Sequence, residues 1–110
     1  MTREQVIERL RLWAARAQWE TTQADRPTDM LEWSGQAQVL TGIAEFLAGQ
    51  GAQLSLQAAR VQIISGRQTS LTAWDLARDD ERDLALRAGE VAGYDLALSL
   101  LKSAGEAWAA

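Results

Sequence analysis

The sequence predicts an all-α fold: an antiparallel helical bundle with an N-terminal helical hairpin and a long C-terminal helix. Three observations carry this. Apolar residues recur at three- and four-residue spacings along most of the chain. The one proline, Pro27, leaves long stretches free to be helical. Alanine, leucine, glutamine and arginine dominate, and all are good helix formers. With 110 residues, no internal repeat and no low-complexity linker, residues 1–110 read as one domain with one core.

The first helix opens on Thr2-Arg3-Glu4-Gln5, a capping box in which the Thr2 hydroxyl takes the Gln5 amide proton and Gln5 reaches back. Val6, Leu10, Trp13, Ala17 and Ala24 then form one apolar stripe that only Glu20 interrupts, widened by Ile7 and Ala14. Arg16 and Glu20 sit one turn apart as an ion pair. The run Asp25-Arg26-Pro27-Thr28-Asp29 breaks the helix, because residues before proline avoid the helical region. Asp25, Thr28 and Asp29 are the candidate N-caps of the second helix.

The second helix carries Met30, Trp33, Ala37, Leu40, Ala44 and Leu47 at alternating spacings of three and four, the seam of a shallow helix–helix contact. Val39, Ile43 and Phe46 make a second apolar line on another face, so this helix needs cover from two sides. Gly49 and Gly51 supply the stop. So short a connection at Pro27 forces the two helices antiparallel, giving a hairpin from Arg3 to Ala48.

Residues 52–66 are ambiguous in period. Leu54, Leu56 and Ala58 alternate like a strand, while alanine and glutamine favour a short buried helix, which is the preferred reading; Ser65-Gly66 ends it. Thr69-Ser70 offers caps for the next helix. Leu71, Trp74, Ala77, Leu84, Val91 and Leu98 then continue a stripe, either as one helix over 71–104 of ~50 Å or as two meeting near Asp79-Asp80. Ala85, Gly89, Gly93 and Ala97 stand four apart, a row of small residues that admits a close helix crossing inside the bundle or across a dimer.

Composition excludes several chemistries. The chain has no cysteine and no histidine, which removes disulfides, Cys/His zinc sites and every histidine-based triad. No glycine-rich phosphate loop is present: Gly49-Gln50-Gly51 lacks both spacing and lysine. A net charge of −4 disfavours nucleic acid as partner, because that affinity rests on cations neutralising phosphates. Arg3, Glu4, Glu8 and Arg9 interrupt any signal-peptide pattern after Met1, and no stretch approaches the ~18–20 apolar residues of a membrane span. These features lead to the expectation of a cytoplasmic protein that does not engage membranes and holds no cofactor.

The densest polar cluster, Asp75 to Asp83, puts Asp75, Asp79 and Asp83 on one face if the helix is continuous. With Glu45 from another helix they could hold Mg²⁺ or Mn²⁺ and hydrolyse a nucleotide phosphate. The interleaved Arg78, Arg82 and Arg87 favour a solvated, ion-paired face instead. Five tryptophans are many for this length. Trp13, Trp33 and Trp74 lie on apolar stripes and are expected in the core. Trp19 and Trp108 lie off them and are expected to contact another chain.

The leading expectation is a non-enzymatic helical assembly or partner-binding module that forms a homodimer, or binds another protein, through Trp19, Val39, Ile43, Phe46, Gly89, Gly93 and Trp108. The carboxylate-dependent phosphohydrolase is the alternative, and a small acidic inhibitor protein the third reading.

Overall fold

The computed structural model describes residues 1–109. Four α-helices account for most of them: α1 (Arg3–Gln23), α2 (Pro27–Ala48), α3 (Leu56–Leu76) and α4 (Glu81–Ala104), followed by a 3-10 turn, Gly105–Ala109. The described residues contain no strand. α1 packs on α2, α2 on α4, and α4 on α3, so α4 sits between α2 and α3 and also touches α1. No helix among the described residues is long and apolar enough to cross a membrane.

The N-terminal hairpin forms for local reasons. Thr2 and Gln5 close the capping box, with the Gln5 amide donating to Thr2 Oγ1 over 3.1 Å. Val6, Leu10, Ala14 and Ala17 are buried on α1, and Leu40, Ala44 and Leu47 on α2. α2 starts without a side-chain cap: Arg26 is the cap residue and Pro27 fills the first helical position, where its missing N–H costs nothing. Of the three expected caps, Asp29 instead accepts from the Arg26 guanidinium at 3.2 Å. α2 stops at Gly49, whose N–H donates to the Glu45 carbonyl at 3.0 Å.

The second half corrects the expected boundaries. The helix that begins at Leu56, capped by Ser55, does not end at Ser65-Gly66; it runs to Leu76. Gly66 lies inside it, and the Tyr94 ring packs 2.8 Å from where a Cβ would stand, so only glycine fits there. Thr69 and Ser70 are therefore mid-helix and cap nothing; the Thr69 hydroxyl turns back on the Ser65 carbonyl. The chain breaks over residues 77–80, where Asp80 caps α4 by accepting from the amides of Arg82 and Asp83 at 3.0 and 3.1 Å. A continuous helix over 71–104 would reach ~50 Å, longer than the 44 Å principal axis of the molecule.

This break changes which residues face inward. The buried face of α3 is Ala59, Ile63 and Ser70, not Leu71 and Trp74. Trp74 is 43% exposed, contrary to its expected place in the core, and Trp13 and Trp33 are half-buried. Trp108 reverses in the other sense. Gly105 adopts a φ of +56°, which folds the tail back, and Trp108 is buried at 5% exposure with its Nε1 donating to the Leu54 carbonyl at 3.1 Å. Its expected role as a contact for another chain is thereby overturned: its ring closes the core of its own chain. The N-terminal ammonium donates to the Ala104 carbonyl at 3.3 Å, and Arg3 donates to the carbonyl of Ala52, so the start of α1, the end of α4 and the α2–α3 connection are tied together.

Candidate binding groove

The two apolar faces of α2 have different fates. Ala37, Leu40, Ala44 and Leu47 are buried. Val39 and Phe46 are only half-buried, and with Ile43, which is buried at 7% exposure, they line the α2 wall of a groove of about 390 Å³. Ile63 and Gln62 of α3 form the opposite wall, Tyr94 and Glu90 of α4 contribute from between, and Gln38 completes the α2 side. The volume falls within the ~300–1,000 Å³ of small-molecule or side-chain seats. Gly42 leaves the α2 wall bare, since a Cβ there would meet nothing within 4 Å, whereas the Tyr94 ring fills the space beside Gly66.

One end of the groove is polar. Glu90 Oε1 accepts from Ser70 Oγ at 3.2 Å and from Arg87 Nη1 at 3.0 Å. Arg87 also stands 3.3 Å from Asp83 Oδ1. The Glu90 hydrogen bond is the main cause of the Arg87 guanidinium holding its proton above the ordinary arginine value. Burial pushes the Tyr94 phenol above its ordinary value; the Glu90 charge adds to this and a hydrogen bond with Ser70 opposes it. The groove thus offers apolar and aromatic surface beside a carboxylate already paired with a guanidinium. Apolar walls with one polar end are the make-up of a seat for a small molecule or a partner side chain.

Of the residues singled out in the sequence, Val39, Ile43 and Phe46 come together here. Trp19 does not: it is 54% exposed on α1, with the Arg16 guanidinium 5.4 Å from its ring centroid. Gly89 and Gly93 are spent on the α2–α4 crossing, where a Cβ at Gly93 would lie 3.0 Å from Val39 Cβ and one at Gly89 would overlap the Glu32 carbonyl. Their use is inside the bundle. The carboxylates do not assemble: Asp75 is on α3, Asp79 in the turn and Asp83 on α4 beside Arg87, so no continuous helical face carries them. Glu45 opens on a different depression, between α1 and α2 with Arg11, Gln18 and Thr41. Among the described residues no three acidic side chains converge as a metal site would need.

Comparison with protein-family models, curated proteins and solved structures finds no match. The groove is therefore read from its own chemistry. Its α3 and α4 half, Gln62, Ile63, Gly66, Glu90 and Tyr94, escaped sequence reasoning. The usable signal was the row Ala59, Ile63, Gly66, Ser70 at spacings of four, three and four, legible only once Gly66 is placed inside a helix.

Proposed function

We propose that this chain is a non-enzymatic helical module that works by association, its first partner being a second copy of itself. The observation that carries the reading is the amount of large apolar surface the bundle leaves in water. Leu12, Trp19, Met30, Val61, Ile64, Trp74 and Leu76 are each more than two-fifths exposed. Single exposed apolar residues are ordinary, but here they fall in neighbouring groups: Leu12 with Trp19 two turns apart on α1, and Val61 with Ile64 one turn apart on α3. The open groove beside Val39 and Phe46 adds a concave seat for a partner side chain. The net charge of −4 keeps such a surface soluble without supplying the cationic field that nucleic acid needs.

Light scattering on a size-exclusion column tests the reading. A species of twice the 12.1 kDa chain mass, growing with concentration, is the expected result. A clean monomer at every concentration up to the solubility limit rejects it.

A further inference from the structure

We infer that the self-association proposed above, on which this inference rests, runs through the outer face of α3, which pairs antiparallel with α3 of a second copy. Spacing singles out this face. The side of α3 that buries Ala59, Ile63 and Ser70 is not the only one with helical rhythm. Gln57, Val61, Ile64, Gln68, Leu71 and Asp75 succeed one another at four, three, four, three and four residues along its outer side. This is the spacing of a seam that packs against another helix at a shallow angle. No helix among the described residues covers it: Val61 is 55% and Ile64 48% exposed, and Leu71 is half-buried.

Charge selects the direction. The charged residues of α3 are Arg60, Arg67 and Asp75, and Arg67 is occupied by Asp95 at 2.6 Å. Arg60 has a buried Nε without a hydrogen-bond partner among the described residues. A parallel pair would set Asp75 against the partner's Asp75 and Arg60 against the partner's Arg60. An antiparallel pair instead puts Val61 opposite the partner's Leu71, and Gln57 opposite the partner's Asp75. It also brings Arg60 within about one helical turn of the partner's Asp75, twice by symmetry. Gln68, the one polar residue between the apolar positions, limits the strength and fixes the register.

The seam from Gln57 to Asp75 is about 27 Å long at 1.5 Å per residue. One helix pair of that length buries less than the ~1,200 Å² of a stable complex, so the dimer belongs to the weak, reversible class.

Sedimentation equilibrium of the full chain and of exposed-site variants tests this. Ile64→Arg should weaken the dimer by at least ~10-fold, because it sets an unpaired charge in covered apolar surface, while helicity and Tm stay as in wild type. Gln23→Arg, at the exposed end of α1, should leave the dimer unchanged. Asp75→Arg should weaken it, and Arg60→Asp added to Asp75→Arg should restore it. Since the chain has no cysteine, a spin label on Gln57→Cys reports direction. Antiparallel pairing holds the labels about 27 Å apart or more along the axis, whereas parallel pairing holds them at roughly the ~10 Å spacing of packed helices. A wild-type chain that stays monomeric overturns both this inference and the reading beneath it. A dimer that Ile64→Arg spares overturns the α3 seam alone, and so does a short label distance.

Discussion

The carbonyl oxygen of Glu32 lies where the side chain of Gly89 would begin. Two helix backbones approach here until only a hydrogen fits between them. The row Gly89-Gly93-Ala97 on α4 is buried, as is Gly35 on the facing side of α2. The closeness costs helix propensity, ~1 kcal/mol per interior glycine relative to alanine, and is offset by the packing it permits.

This predicts opposite signs for one substitution at two glycines. Gly89→Ala gains propensity but must push α2 and α4 apart, for a net loss of ~1–3 kcal/mol. Gly42→Ala meets nothing within 4 Å and should gain up to ~1 kcal/mol. Thermal melts of the two variants should move in opposite directions, by roughly 4–8 °C per kcal/mol for a domain of this size. If both rise, the crossing has room for a methyl group and the close approach is refuted.

Trp108 joins the core through its ring and Leu54 through its indole N–H. Trp108→Ala should cost ~3–5 kcal/mol. Trp108→Phe keeps most of the ring and should lose ~1 kcal/mol for the hydrogen bond. Urea unfolding resolves the two. A near-neutral Trp108→Ala would place the tail outside the cooperative unit.

The break between α3 and α4 depends on Asp80, which caps two amides. Asp80→Ala should cost ~1 kcal/mol. Asp79→Ala, one residue earlier in the exposed turn, should change stability by no more than ~0.5 kcal/mol. Equal effects would contradict the assigned cap.

Tyr94 is the single tyrosine of the chain, so its titration can be monitored by the absorbance of tyrosinate. Burial raises its folded-state value above the ordinary 10.0. The folded chain therefore keeps the proton at pH values where the unfolded chain has lost it. The contribution to stability is fully present below pH 10 and falls as pH rises through the folded value. Tm should decline more steeply above pH 10 in wild type than in Tyr94→Phe. Identical slopes would mean that the phenol is as well solvated as in the unfolded chain.

The parts of the fold that were legible in the sequence are those decided locally. The Thr2–Gln5 capping box, the α1 stripe and the Pro27 break need only neighbours within one turn. Gly66 was not legible: an interior glycine reads as a stop, whereas here it makes room for the Tyr94 ring, twenty-eight residues away in sequence. The exchange between Trp74 and Trp108 has the same origin. α3 turns Ala59, Ile63 and Ser70 inward, which leaves Trp74 outside, and one positive φ at Gly105 turns the tail back. The groove was half legible. Its α2 wall was a second apolar line that a hairpin cannot bury, whereas Glu90 and Tyr94 reach it only because α4 lies between α2 and α3.

That central place of α4 also orders events in time. Synthesis delivers α1, α2 and α3 before the helix that α2 and α3 both lean on. Until α4 arrives, the α1–α2 hairpin has only one seam to offset the entropy of closing its loop, and α3 has nothing to dock against. Nucleation is therefore expected to wait for α2 and α4 to meet across some fifty residues, with the glycine crossing at its centre. Substitutions at Gly89 or Gly93 should then slow folding, whereas changes in the tail around Trp108 should mainly speed unfolding.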